Sequence, residues 1–277
     1  MIKKLSLLTL SYLFLIPSTN AACPDGKTYK VTLTFDDGPN VALTPKVLDT
    51  LKEEKVPGTF FVLGSNVAGG KTNPANKSKY AILDRMKAEG HYIGSHTYNH
   101  IEHNSSTFSK EAVKTNIMKP SPLLEGYLSP VLRLPYGAGS FRSSNATIQA
   151  RNDMVMASVK EAGFKHVGWH IDTEDWKVSA RPTLLPKMLK QICQSKGGII
   201  LFHDIQANTV ANLKSWIQAI KAEGHDLVGL ENFIPEVKGP FPPLNCELDA
   251  SGKPVLKPIN DLEKDVNKVI KKLNQDK

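Results

Sequence analysis

The sequence predicts an α/β fold in which parallel strands close, or nearly close, into a β/α barrel. Three observations carry this expectation. Seven short apolar runs alternate with amphipathic stretches along the 277 residues. The links between them are short. Several amphipathic stretches stop at a glycine, at Gly90, Gly163 and Gly224. Such alternation implies a parallel sheet covered by helices, and glycine commonly follows a helix end.

In chain order, strands are expected at 30–35, 58–63, 91–94, 131–134, 166–171, 198–202 and 226–229. Helices are expected at 45–54, 79–89, 109–125, 150–162, 182–194 and 209–223. The phrase Lys-Ala-Glu-Gly-His occurs at 87–91 and again at 221–225, each time between a helix and a strand. The polar, Gly-rich stretch 64–78 reads as a loop. Beyond Pro235 the chain turns Pro-rich, and a basic helix is expected over 260–273. Its stripe of Leu262, Val266, Val269, Ile270 and Leu273 would dock on the barrel or meet a partner.

The N-terminus has a different character. Met1 to Lys4 is basic, 5–16 is apolar, and 17–22 is rich in small residues. That is a secretory signal pattern, too short for a membrane-spanning helix, with cleavage expected near Ala21 or Ala22. A lipidated Cys23 is the alternative, disfavoured because Asn20 stands where such sites place an aliphatic residue. The expected layout is a signal peptide at 1–22, a barrel at 23–235 and a C-terminal segment at 236–277. No other long apolar run exists, so the mature chain is expected to be soluble and exported to a periplasm, cell wall or extracellular space, without stable membrane insertion.

Hydrophobic residues make up 40% of the chain and charged residues 22%, which excludes a disordered chain. The net charge is +8 and stays positive without Lys3 and Lys4. That serves either general solubility or attraction to an anionic partner such as a bacterial wall polymer, while no Lys/Arg cluster is dense enough for nucleic acid. Of the three cysteines, Cys23 and Cys246 flank the body and are expected to pair. Cys193 lies in a helical pattern and reads as a buried thiol. No close Cys–Cys spacing indicates a zinc site. Oligomeric state is not readable.

Five strand ends carry chemistry. The first, 34–39, reads TFDDGP and sets Asp36 beside Asp37 straight after an apolar strand. Neighbouring strand residues face opposite ways, so one carboxylate would be buried and costly without a cation. The second, 96–100, reads HTYNH; its spacing predicts a helical turn that presents His96 and His100 to one ion. Two histidines and one carboxylate make a three-ligand set with an open position, as in catalytic zinc sites. The other carboxylate is then free to act as a base. Asp/His/His suits Zn2+, with Co2+, Ni2+ or Mn2+ as replacements.

The third, 133–137, reads RLPYG. A lone Arg133 is commonly a surface ion pair, but here it faces a carboxylate cluster it could clamp. Pro-Tyr-Gly makes a fixed turn that could aim a backbone N–H. The fourth, 172–176, reads DTEDW, with three acids and a Trp176 that is either core or the wall of an apolar slot. The fifth, 199–204, is a buried strand ending in His203-Asp204, a histidine with a neighbouring carboxylate, as in tuned general acids. His91, His166, His170 and His225 read as structural, and His103 as a remote candidate for the site. Asn76, Asn104 and Asn145 head glycosylation triplets of the kind that arise by chance.

With these five stretches in order, the chain resembles the polysaccharide deacetylases, carbohydrate esterase family 4, the NodB-homology family. The resemblance spans 34 to 203. It implies a distorted (β/α)7–8 barrel with parallel strands, forming a single catalytic domain of a metal-dependent deacetylase. It implies Asp37, His96 and His100 as metal ligands, Asp36 as general base and His203 as general acid. Arg133 would hold Asp36, Asp175 would tune His203, and the Tyr136 N–H would help form an oxyanion hole. Tyr136, Trp176 and Leu201 would bind substrate, the last two lining a pocket for the acetyl methyl. Leu134 stands where many relatives have Pro, which should alter loop rigidity alone. The expected substrate is N-acetylglucosamine in peptidoglycan. Chitin oligomers, poly-N-acetylglucosamine, acetylxylan and N-acetylmuramic residues are alternatives. A non-catalytic glycan-binding module and a metal-dependent amidase are rival classes.

Overall fold

The alternation within β1 (Lys30–Asp36) dictates a layered barrel. Val31, Leu33 and Phe35 lie on one face; Thr32, Thr34 and Asp36 lie on the other, and all six are buried. A strand buried on both faces needs packing on each side. The Val31, Leu33 and Phe35 face joins the larger apolar core beneath the helices. The threonine and aspartate face looks into the barrel.

The computed structural model describes residues 23–140 and 142–239, with the backbone of two further strands, β9 (Cys246–Leu248) and β10 (Pro254–Leu256). The expected signal segment and the C-terminal helix with its apolar stripe lie outside the described residues. The other strands are β2 (Gly58–Val62), β3 (Tyr92–Ser95), β4 (Val131–Leu132), β5 (Lys165–His166), β6 (Ile171–Asp172), β7 (Gly198–His203) and β8 (Asp226–Leu227). The helices are α1 (Thr44–Glu54), α2 (Lys77–Ala88), α3 (Lys110–Met118), α4 (Pro120–Leu123), α5 (Ala146–Glu161), α6 (Leu184–Ser195) and α7 (Ala207–Ala222). Among the described residues, no helix is long and apolar enough to cross a membrane.

The main sheet runs β5-β4-β3-β2-β1-β7-β6 with every neighbour parallel. β8 pairs the start of β1, below the stretch of β1 that pairs β2. The two ends of this path, β5 and β6, follow each other in the chain. The strand expected at 166–171 is therefore split. Its first part bonds β4, its second bonds β7, and the curled sheet is joined edge to edge through a broken strand. Val167 N–H donates to Leu132 O (2.8 Å), and His170 N–H donates to Ile199 O (2.9 Å), continuing the two halves. The parallel curled sheet with covering helices bears out the expected distorted barrel.

A second apolar cluster, with Phe61, Val131, Val167 and Ile199, fills the barrel interior. Leu230 and Val237 join it from the turns Leu230–Asn232 and Pro235–Lys238. These turns close the end where the strands start: Glu236 pairs Lys165 at 3.3 Å, and Asn232 meets Lys30 at 3.4 Å. The opposite end stays open.

A helix and the disulfide also depart from expectation. The helix expected at 109–125 breaks, because Pro120 has no N–H to continue the ladder. α3 ends at Met118, and α4 starts on the proline. The disulfide joins Cys23 to Cys193, not to Cys246, with Cα atoms 5.2 Å apart. α6 runs back down the barrel wall and ends just before β7. This brings half-buried Cys193 to the foot of the barrel, where Cys23 leads into β1.

Candidate active site

β1 and β7 lie side by side with Asp36 opposite His203. In a parallel sheet, all strand ends emerge on one face, so the five strand-end stretches are brought together there. Asp36 is buried on the inner face of β1. Its Oδ1 accepts from Arg133 Nη1 at 2.8 Å. Arg133 is itself fully buried and has every branch engaged. Nη1 also reaches Thr34 Oγ1 (2.8 Å), Nε donates to Val167 O (3.1 Å), and Nη2 donates to Gly168 O (3.0 Å). Its guanidinium lies 4.2 Å over the Phe61 ring. A buried ion pair is tolerated when its remaining groups are satisfied, and this one is.

Asp37 turns away from Asp36 by adopting a left-handed backbone (φ 77°). Asn66 Nδ2 holds the turn, donating to Asp37 O (2.7 Å) and Gly38 O (2.8 Å). Asp37 Oδ1 then lies 3.4 Å from His96 Nε2 and 3.3 Å from His100 Nε2.

The HTYNH stretch is not the expected helical turn. It is a loop whose Thr97 and His100 take positive φ, of 68° and 58°. Tyr98 N–H donates to Asn116 O (3.0 Å), while Gly64 and Ser65 N–H groups bond Thr97 O and Tyr98 O. The loop nevertheless converges both imidazoles, with ring centroids 5.1 Å apart.

Asp37, His96 and His100 offer three donor atoms lying within 4.8 Å of one another. His96 Nδ1 is 2.9 Å from Arg133 O, which can only accept, so Nδ1 carries the proton and Nε2 presents its lone pair. Asp37 Oδ1 is buried and has no hydrogen-bond partner among the described residues. Acceptors therefore face one another around an orphaned carboxylate oxygen. A buried carboxylate in that setting calls for a cation, and the donor set fits a divalent metal. Burial raises the Asp37 pKa, and when the neighbouring imidazoles carry protons, His96 by hydrogen bond and charge, with His203 and His100, outweighs it and holds the group below the ordinary carboxylate range. Burial, then the neighbouring His96, holds the His100 pKa down.

On the other side of Asp36, Asp175 grips His203 twice. Its Oδ1 is 2.7 Å from His203 Nδ1, and its Oδ2 accepts the His203 backbone N–H at 2.8 Å. Thr209 Oγ1 donates to the same Oδ2. Nδ1 therefore carries a proton, and Nε2 is left to the site. Burial pushes the His203 pKa down, but the Asp175 hydrogen bond and charge, with Asp36 and Asp37, carry it up to about 9. Of the three acids at 172–175, Asp175 alone enters the site. Asp172 accepts the Glu174 N–H, and Glu174 pairs with Lys187 and Lys177 at the surface.

Tyr136 sits in a turn with φ 58° and is 68% exposed, its ring set edge-on to His100 at 4.7 Å. Trp176 is 54% exposed, and Leu201 is buried in β7. Asp204, the carboxylate next to His203 in sequence, points elsewhere. It is fully buried beneath the 38–44 turn, where Thr44 Oγ1 donates to it. His103 lies behind the HTYNH loop with Nε2 3.1 Å from Asn116 Oδ1, outside the converging set. Sequence reading missed the supports Thr34, Asn66, Asn116 and Thr209. Only Thr34 left a signal there, as a polar residue on the same strand face as Asp36.

One point flanked by a carboxylate on a guanidinium and an imidazole on a carboxylate can hold a divalent cation and move protons on either side of it. The sequence pattern of the family described as polysaccharide deacetylase matches residues 24–167. The chain is 34% identical over 217 residues to peptidoglycan-N-acetylglucosamine deacetylase PgdA of Listeria monocytogenes, covering 77% of this chain and 41% of that protein. It thus spans about two fifths of that relative's length. It is 32% identical over 209 residues to a peptidoglycan-N-acetylglucosamine deacetylase of Bacillus cereus, covering 74% of this chain and 87% of that one. A crystal structure of the Bc1960 peptidoglycan N-acetylglucosamine deacetylase superposes with a TM-score of 0.58 at 30% identity, over 74% of this chain and 88% of that chain. The chain belongs to the polysaccharide deacetylase family.

Proposed function

We propose that the protein is an exported, metal-dependent deacetylase that hydrolyses the N-acetyl group of N-acetylglucosamine residues in peptidoglycan, releasing acetate. The observation that carries the reading is the orphaned Asp37 carboxylate among inward-facing imidazoles, placed between the Arg133–Asp36 and Asp175–His203 pairs. The relatives named as peptidoglycan-N-acetylglucosamine deacetylases support the substrate, and the basic net charge suits a wall polymer.

In this reading, Asp37, His96 and His100 hold a divalent ion, zinc by donor type. When bound, it supplies Lewis-acid polarisation of the scissile carbonyl and of the attacking water. Arg133 occupies Asp36 Oδ1, and Asp36 Oδ2 takes the proton from the water as it attacks. The Tyr136 N–H donates to the oxyanion. His203, protonated and oriented by Asp175, donates from Nε2 to the leaving nitrogen. Trp176 and Leu201 wall the acetyl methyl. Base and acid are thus set in opposite protonation states by different neighbours.

The deciding experiment is acetate release from purified peptidoglycan, chitin oligomers and acetylxylan, before and after chelation and zinc return. Release from peptidoglycan that stops on chelation and recovers with zinc is the expected result. Release from acetylxylan alone would move the substrate. A metal-loaded protein that binds glycan and releases no acetate would make it a binding module.

A further inference from the structure

A cleft of about 510 Å³ opens at the foot of the barrel, the end opposite the candidate active site. The segment that starts at Cys23 forms one wall, α6 another, and the end of α7 a third. Leu189, Lys190, Cys193 and Glu223 line it together with Cys23 and Pro24. That volume is within the range of small-molecule sites. The disulfide is part of the wall, and deacetylation uses none of these groups.

A histidine stands behind the disulfide. His225 Nε2 lies 3.9 Å from Cys23 Sγ, and both side chains are buried. The backbone fixes the tautomer. Tyr29 N–H donates to His225 Nδ1 at 3.1 Å, so Nδ1 is bare and Nε2 carries the proton. The Tyr29 ring, stacked at 6.2 Å, holds the imidazole in place. The donor atoms of Cys23, Cys193 and His225 lie within 4.8 Å of one another, close enough to share an ion. Yet the two sulfurs are bonded to each other, and Nε2 turns an N–H towards them, not a lone pair. That arrangement suits a thiolate developing on Cys23 and opposes a cation.

The two sulfurs differ in access. Cys23 is buried against His225, whereas Cys193 is half-buried on α6. Exchange proceeds by thiolate attack on one sulfur. Its rate depends on access to that sulfur and on how readily the other leaves. Both conditions select Cys193 for attack and Cys23 for departure. Lys190 and Glu223 bring one charge of each sign to the cleft, and neither forms an ion pair among the described residues. Asp25, the other charge there, is already engaged by the Tyr29 hydroxyl and the Lys27 N–H.

The structure assigns this cleft as a thiol–disulfide exchange site for a low-molecular-weight thiol with an amino-acid headgroup. The ligand's thiolate sulfur bonds to Cys193 Sγ. The Cys23–Cys193 bond breaks, and its electron pair leaves on Cys23 Sγ, where the His225 N–H stabilises it. The ligand sulfur is oxidised into the mixed disulfide as Cys23 is reduced, so the electrons balance. The ligand's carboxylate meets Lys190, and its ammonium meets Glu223. In reverse, the Cys23 thiolate attacks the mixed disulfide, expels the ligand thiolate and recloses the bond. The tie between the N-terminal segment and α6 is thereby made reversible.

The test uses the full oxidised chain carrying Cys246→Ser, so that the pair alone can react. It is treated with cysteine or with 2-mercaptoethanol, free thiols are blocked with N-ethylmaleimide, and adducts are mapped by mass spectrometry. Early adducts should sit on Cys193, with the maleimide on Cys23. Adducts chiefly on Cys23, or none on either, would overturn the inference. Per thiolate, cysteine should react about threefold faster than 2-mercaptoethanol, the scale of exposed charge contacts. An equal or slower rate would overturn the choice of ligand class. His225→Asn keeps an oxygen for the Tyr29 N–H but is too short to donate to Cys23. It should slow the exchange about fivefold, the share of one hydrogen bond to a charged group that a thiol-exchange rate expresses. Exchange as fast as wild type or faster, in a variant whose circular dichroism is unchanged, would overturn the part given to His225. Should that variant not fold, the map of adducts on the parent chain decides alone.

Discussion

The two ends of the barrel use histidine in opposite ways. At the foot, His91, His170 and His225 each come just before a strand and turn Nδ1 onto a backbone N–H. His91 accepts from Gly58 (3.1 Å), His170 from Ile199 (3.0 Å) and His225 from Tyr29 (3.1 Å). Each caps the start of a neighbouring strand. At the open end, His96, His100 and His203 come at or after a strand. The Nδ1 of His96 meets Arg133 O, and that of His203 meets the Asp175 carboxylate. An Nδ1 that accepts must be bare, so the ring is consumed as a structural acceptor. An Nδ1 that donates leaves Nε2 as a lone pair, or as a second acid proton, for the site. The difference lies in what the chain offers Nδ1, and this follows from which end of the strand the residue occupies.

The largest way to break the contrast is at the open end. Asp36→Asn and His203→Ala should each lower acetate release about 10²–10⁴-fold, the scale of one acid–base group, with melting temperature and zinc content held. Near-wild-type turnover in either would remove that residue from the chemistry. Asp37→Ala should instead lose bound zinc while Asp36→Ala retains it, read as metal per chain after dialysis. Equal metal content in the two would end the division of labour between the adjacent carboxylates. At the foot, no single histidine substitution should change metal content.

Much of this is legible in the sequence. The period of two in Val31 to Asp36 placed Asp36 on an inner face, and strand–helix alternation put the five strand ends together. The spacing of HTYNH predicts the converging pair but not the loop that carries it. Spacing says which residues approach, but Asn116 and the loop at 64–65, distant in sequence, hold the backbone at positive φ. Asp204 shows the same limit. It adjoins His203 in sequence, yet the strand alternation turns it to the other side, and Asp175, 28 positions away, takes the ring. The twice-used Lys-Ala-Glu-Gly-His was visible but mute. It ends α2 and α7 through Gly90 and Gly224 at φ 81° and 80°, then delivers a capping histidine to the foot. The disulfide partner was unreadable, because closure across 170 residues depends on where α6 ends in space.

That disulfide gives the next smaller test. Cys193→Ser frees a chain segment closed over 170 residues and should cost about 2–5 kcal/mol in urea unfolding, by loss of constraint on the unfolded chain. It lies at the foot, so acetate release below the unfolding transition should stay near wild type. Lost activity in a still-folded variant would mean that the two ends are coupled.

The smallest test uses the titration of the foot. Burial carries the His91 pKa down to about 4, with Glu89 opposing and Arg85 adding to the shift. In the unfolded chain it takes its ordinary value near 6.5. Between these values the unfolded chain binds a proton that the folded chain refuses. The His91 contribution is therefore present above about pH 6.5 and is lost as pH falls towards 4, up to about 3 kcal/mol. His103 and His166, also carried to about 4 by burial, share this sign. His203 runs the other way, since its pKa is raised: its contribution is full below about 6.5 and is lost as pH rises towards 9. His91→Gln removes the titration and keeps an oxygen able to accept the Gly58 N–H. Its stability should fall less steeply than wild type from pH 6.5 to 4, by up to those 3 kcal/mol, measured by urea unfolding at each pH. Parallel curves would show that His91 is protonated alike in folded and unfolded chains, and the contrast between the two ends would then rest on geometry alone.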